Sequence, residues 1–174
     1  MISMTAFERE DQALRDAELA AVTRVIGSNW YVLGREVEAF ERDWARECGA
    51  GHCVGVGNGM DAIEIGLRAL GIGPGDEVIT TPMTAFATVL AVIRAGAVPV
   101  LADIDLGTAL LDPVSVARCR TARTKAVLLV HLYGQMAEMD RWAGWCRDEG
   151  LHLLEDCAQA HGARWGGRAA GRWG

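Results

Sequence analysis

The stretch LHLLEDCAQAHGA (151–163) runs an apolar segment into two acids, Glu155 and Asp156, and then into Gln159 and His161. Carboxylates at the end of a buried strand are costly unless something is bound to them. The question the sequence poses is therefore what Asp156 holds.

Working outward from this segment, four more short apolar runs read as strands: CVGV (53–56), EVIT (77–80), VPVLA (98–102) and AVLLV (126–130). Roughly 20 to 25 residues separate most neighbours, enough for a crossover helix. Helical segments are expected between them at 59–70, 84–95, 113–119 and 138–149, the first stopped by the Gly/Pro turn GIGPGDE (71–77). Strands alternating with helices predict an α/β fold, a mostly parallel sheet with helices on both faces. Ahead of it, Leu14, Ala17, Ala21, Val22 and Val25 share one face of a helix over 11–26. Val37, Phe40, Trp44 and Cys48 do the same in REVEAFERDWAREC (35–48), after the connector NWYVLG (29–34). The expected organisation is an N-terminal helical segment, 1–50, and an α/β sheet portion, 51–174.

Composition narrows the function classes. With 174 residues, 51% hydrophobic side chains and a net charge of −6, the chain reads as globular. Its arginines are scattered, so no basic stripe for nucleic acid and no cationic face for a membrane is seen. No apolar run approaches the ~20 residues of a membrane span. The five cysteines are odd in number and lack CxxC spacing, which suits a reducing cytoplasm. No metal set is expected. Of 17 basic residues, Lys125 is the single lysine.

In open parallel sheets, ligands bind at the carboxyl ends of the strands. GVGNGMDA (55–62) follows a strand candidate and opens a helix, so its backbone N–H groups and helix dipole form an anion site. From Gly57 it also fits the GxGxxA dinucleotide pattern. The acid that should follow the next strand is misplaced, however, since Asp76 and Glu77 precede VIT. No Gly-Lys-Ser/Thr follows either. A single phosphate group is the preferred reading, with a dinucleotide or a bare structural turn as alternatives.

Taken together, YVLGREVEAFE, GNGMDAIEIGLRALGIGPGDEVI, TAFATVLAV, GAVPVLADID, TKAVLLVHLYGQMAEMD and LLEDCAQAHGA resemble, in order, the DegT/DnrJ/StrS family of sugar aminotransferases, which use pyridoxal phosphate. The resemblance implies the N-terminal part of the large domain of a fold-type-I pyridoxal phosphate enzyme. It implies that Asp156 pairs with the pyridine nitrogen of the cofactor and that Gln159 contacts the ring hydroxyl. A carboxylate at that place keeps the ring protonated and able to accept electrons. The phosphate falls on Asn58, Gly59 and Met60, although Met60 stands where the family commonly has Thr or Ser. The stacking aromatic would be Phe86, one position later than in many members, with an ordinary core aromatic as the alternative.

Other polar residues are given structural readings. His131 and Tyr133 are expected to be packed with satisfied polar tips, Asp103 and Asp105 to be strand-end and turn residues, and Trp142, Trp145, Trp165 and Trp173 to pack in the core. His161 receives no catalytic role.

The family's cofactor-bonding lysine lies beyond the segment matching EDCAQAHGA, after a glycine-rich stretch like GGRAAGRWG, and the chain stops at Gly174. Lys125 sits at the start of a strand, roughly 15 Å from its far end by strand rise. The expectation is thus the N-terminal portion of an aminotransferase, with no catalytic residue in this chain and inactive alone. The full-length form would move an amino group from an amino acid such as glutamate to a nucleotide-linked keto sugar, as a homodimer. Alternatives are a non-catalytic remnant or binding module with the same fold, a pyridoxal-phosphate-dependent sugar dehydratase, or a keto-cyclitol aminotransferase.

Overall fold

The computed structural model describes residues 7–174. They belong to two compact units, one of residues 7–47 with Gly51–Gly55, the other of Cys48–Ala50 with Val56–Gly174.

The first unit is helical. Helix α1, Gln12–Ser28, starts where Asp11 accepts a hydrogen bond from Ala13 N and ends at Asn29, which takes the left-handed conformation. It buries none of its residues, and Leu19, Val22 and Ile26 are exposed. Helix α2, Arg35–Cys48, carries Glu36 and Glu38 in its first turn, where the helix dipole favours acids. Glu41 on α2 accepts from Gly55 N at 2.6 Å.

The second unit is the α/β portion. Its elements are α3 (Gly59–Ala69), β1 (Glu77–Thr80), α4 (Phe86–Arg94), β2 (Val98–Leu101), α5 (Pro113–Cys119), β3 (Thr124–Val130), α6 (Met139–Asp148) and β4 (His152–Asp156). The four strands form one sheet in the order β2-β1-β3-β4, every pair parallel. β3 is the most apolar strand, and alternation along it feeds two cores. Ala126 and Leu128 pack with Val78, Leu67 of α3 and Val92 of α4 on one face. Val127 and Leu129 pack with Ile79, Val116 of α5, and Met139, Trp142 and Cys146 of α6 on the other. Strands buried on both faces need this near-continuous apolar run.

Connectivity reverses once. The chain steps from β1 out to β2, then returns past β1 to β3 and on to β4. The reversal falls between β1 and β3, whose carboxyl ends are the usual place for a ligand in such a sheet.

The structure departs from the sequence reading at four places. CVGV is not a strand: residues 53–56 join no ladder, because no strand among the described residues lies beside them. Among the described residues β4 is an edge strand rather than a buried one, and most of its residues are half-buried, since only β3 pairs with it there. The helix expected at 84–95 begins at Phe86, because Ala85 is still extended. A short hairpin, β5 (Arg164–Trp165) and β6 (Arg168–Ala169), was not foreseen. Its turn places Gly166 and Gly167 both at positive φ, which a two-residue hairpin loop of this kind demands.

Candidate active site

Asp156 closes β4, opposite Val130 at the end of β3. Both its oxygens are engaged. Thr88 Oγ1 donates to Oδ2 at 2.8 Å, and Ala158 N donates to Oδ1 at 3.1 Å. Thr88 lies in α4, so this bond ties the start of α4 to the end of β4. An ionised carboxylate has about four acceptor sites, and two are left for a further donor.

Gln159 follows in the turn after β4. Its Oε1 accepts from Tyr133 N at 2.7 Å, which fixes the amide with the carbonyl toward the protein and leaves the NH2 group as the outward donor. Tyr133 adopts φ 57 and Gly134 φ 83, and a Cβ on Gly134 would meet Gln159 O at 3.2 Å. The 131–135 turn is therefore fitted against Gln159 by backbone shape.

Phe86 is the first residue of α4 and 73% exposed. The core-aromatic alternative does not apply to it: its ring is surface that a planar group can cover. At the start of α3, Asn58 Oδ1 accepts from Asp61 N at 2.9 Å, and Asn58 Nδ2 donates to Asp61 Oδ2 at 2.8 Å. The Asn58 side chain is thus committed to capping the helix. Among the first-turn donors, Gly59 N and Met60 N remain for an anion. Asp61 would oppose such an anion, but Arg94 offsets it, with Nη1 at 3.3 Å from Asp61 Oδ1 and Nε at 2.7 Å from Glu64 Oε2. Arg94 Nη1 also lies 3.9 Å from Met60 Sδ.

Beside Asp156, Glu155 turns to the other side of the strand. It accepts from His131 Nε2 at 2.9 Å, Gly171 N at 3.0 Å, Trp173 N at 2.7 Å and Gly174 N at 3.0 Å. Burial pushes the Glu155 carboxyl up, but these four donors outweigh it and hold the group below the usual carboxylate range. His131, Glu155 and Cys157 place possible metal-ligating atoms within 4.8 Å of one another. A cation there would have to displace donors from both Glu155 oxygens, so the cluster reads as a hydrogen-bonded support. Cys157 is no nucleophile: burial, then the charges of Glu155 and Asp156, push its thiol up to about 12.

Of the remaining sequence readings, two are corrected: Tyr133 is 77% exposed rather than packed, because its left-handed turn projects from the end of β3, and buried His131 has a partner at Nε2 but none at Nδ1 among the described residues. Asp105 is a turn residue, accepting from Gly107 N and Thr108 N. Trp142 is buried, and Trp145, Trp165 and Trp173 pack against the same core. Lys125 is exposed on β3. Sequence reasoning missed Thr84 and Thr88, whose i, i+4 spacing on a helix start was the available signal, and Arg94, whose role depends on the packing of α3 against α4.

Comparison with known proteins gives the same direction. The model of the DegT/DnrJ/EryC1/StrS aminotransferase family matches residues 12–174. The chain is 46% identical over 154 residues to a dTDP-3-amino-3,6-dideoxy-alpha-D-galactopyranose transaminase of Aneurinibacillus thermoaerophilus, covering 88% of this chain and 42% of that protein. It is 48% identical over 160 residues to a dTDP-3-amino-3,4,6-trideoxy-alpha-D-glucose transaminase of Streptomyces venezuelae, covering 92% and 42%. The chain therefore spans less than half the length of the curated relatives it matches. Among solved structures, S. venezuelae DesV in complex with a ketimine intermediate superposes with a TM-score of 0.89 at 48% identity, over 92% of this chain and 43% of that one. NtdA from Bacillus subtilis with bound cofactor PMP superposes with a TM-score of 0.87 at 32% identity, over 98% and 40%.

Proposed function

The chain belongs to the DegT/DnrJ/EryC1/StrS aminotransferase family, and from that premise we propose that it forms the N-terminal part of a pyridoxal-phosphate-dependent aminotransferase. The donor is an amino acid such as glutamate and the acceptor a nucleotide-linked keto sugar, in keeping with the sugar transaminases it resembles. The observation that carries the reading is Asp156, a carboxylate at the mouth of a parallel sheet, held by two donors with acceptor capacity to spare.

The residues present fit the cofactor. Asp156 would face the ring nitrogen, the outward NH2 of Gln159 the ring oxygen, Phe86 the ring face, and the backbone of Gly59 and Met60 the phosphate, with Asn58 shaping that turn. Bound there, the cofactor supplies an electron sink for the substrate carbon that loses its proton. The chain's own part is to hold a negative charge at the ring nitrogen, donate to the ring oxygen and seat the phosphate without a side-chain hydroxyl at position 60.

A cytoplasmic setting agrees with five cysteines that are odd in number and lack CxxC spacing. No described helix is long and apolar enough to cross a membrane. We also propose a homodimer, supported by the exposed apolar residues Leu19, Val22 and Ile26 on α1 together with Trp30, Tyr31, Val32 and Leu33.

The test is titration with pyridoxamine phosphate, followed by the cofactor's absorbance and fluorescence. Saturable binding that weakens about tenfold or more in Asp156→Asn, with an unchanged melting temperature, is the expected result. Equal affinity in that variant would remove Asp156 from the site.

A further inference from the structure

Thr88 is 1% exposed and carries one hydroxyl proton. An ionised carboxylate only accepts, so that proton is committed to Asp156 Oδ2, 2.8 Å away. Thr84 Oγ1 and Thr88 Oγ1 also lie 2.8 Å apart. With the Thr88 proton already used, Thr84 must be the donor in that second bond. With a carboxylate at Asp156 the hydroxyls form a one-way chain, Thr84 to Thr88 to Asp156.

We propose that Thr84 and Thr88 are positioning residues that hold the Asp156 carboxylate turned toward the cofactor ring. This rests on the cofactor reading above. Thr88 anchors one carboxylate oxygen from α4, Ala158 N anchors the other from the turn after β4, and the plane of the carboxylate is fixed between them. The same short segment, 84–88, carries Phe86. One rigid element thus sets both the acid's orientation and the aromatic's position, so a displacement of the start of α4 would move both together. Charge-assisted bonds of this length are among the stronger ones available to a side chain.

Three variants separate a positioning role from ordinary packing. Thr88→Val keeps shape and burial but removes the hydroxyl, Thr88→Ser keeps the hydroxyl, and Thr84→Val removes the outer donor. Two readouts are needed. The first is pyridoxamine phosphate affinity, expected to fall about tenfold in Thr88→Val, less in Thr84→Val, and to stay near wild type in Thr88→Ser. In an Asp156→Asn background the Thr88→Val effect should largely vanish, the coupling expected of residues that act through one another. The second readout needs no cofactor. Hydrogen exchange at the Ala158 amide, measured by NMR, should accelerate several-fold in Thr88→Val and not in Thr88→Ser, because the carboxylate it donates to is no longer held.

An Ala158 amide indifferent to Thr88→Val would overturn the proposal, and so would wild-type cofactor affinity in that variant. A wild-type protein that binds no pyridoxamine phosphate, while Ala158 still responds, would overturn the cofactor reading and leave the threonines as the support of the charged acid.

Discussion

His131, wholly buried after β3, places Nε2 2.9 Å from Glu155 Oε2 on β4. The pair joins two neighbouring strands at the end of their ladder. Glu155 then captures three backbone N–H groups from 171–174, so one carboxylate holds the segment that follows the β5–β6 hairpin. Asp156 next to it faces the other way, toward Thr88. Adjacent acids on a strand point to opposite sides, and here one holds the 171–174 segment and the other meets α4.

Replacing Glu155 by Gln should therefore damage the fold rather than the cofactor contacts. The amide's NH2 would meet donors where an acceptor is required. A loss of about 3 kcal/mol is expected, in the range for breaking a buried charged network. Urea unfolding measures it, and a change below about 0.5 kcal/mol, the level of an ordinary surface substitution, would show that the four bonds are not formed in solution.

Acid sensitivity follows from the same residue and from Glu77. The Glu77 carboxyl is lowered by the Thr121 hydroxyl and then by Arg123, and that of Glu155 is lowered despite burial. A depressed folded-state value means that the unfolded chain takes up protons first. The stabilisation is present above the ordinary carboxylate value of 4.5 and is lost as pH falls through the lower folded values. Melting temperature should thus drop on acidification below that value, and Glu77→Gln should flatten the decline. A variant whose acid slope matches wild type would show that Glu77 does not contribute to it.

Much of this was legible in sequence, and the residues show why. β3 and the helices packing on it follow from apolar periodicity, which burial enforces directly, and helix α5 starts where Asp112 and Pro113 place a cap and a first helical residue. Asp156 was legible through its position at a strand end. CVGV misled because a strand needs a neighbour, and composition does not report one. The Thr84–Thr88 spacing was readable, but the Thr88 contact to Asp156 was hidden because that partner lies 68 residues away. Phe86 was ambiguous until its exposure was known.

Gly134 tests the turn that orients Gln159. Its φ of 83 and the 3.2 Å approach of Gln159 O to a would-be Cβ both oppose a side chain. Gly134→Ala should cost about 1 to 2 kcal/mol of stability, the strain of a non-glycine residue in the left-handed region. It should also weaken pyridoxamine phosphate binding, because Tyr133 N would no longer hold the Gln159 amide. Stability and affinity both unchanged would mean the turn is free to adjust.

Lys125 supplies a test of which end of the sheet holds the chemistry. It is exposed at the second position of β3, whereas Val130, level with Asp156, lies five residues further along. At about 3.3 Å per residue the separation is roughly 16 Å, beyond a lysine side chain. Pyridoxal phosphate followed by borohydride reduction should therefore label Lys125 only as it would any surface amine, rising with concentration without saturation. Added pyridoxamine phosphate should not protect it, since the two places are distinct. Peptide mass spectrometry reads both results. Stoichiometric labelling of Lys125 that pyridoxamine phosphate suppresses would place the cofactor at the amino end of β3 and remove Asp156 as its partner.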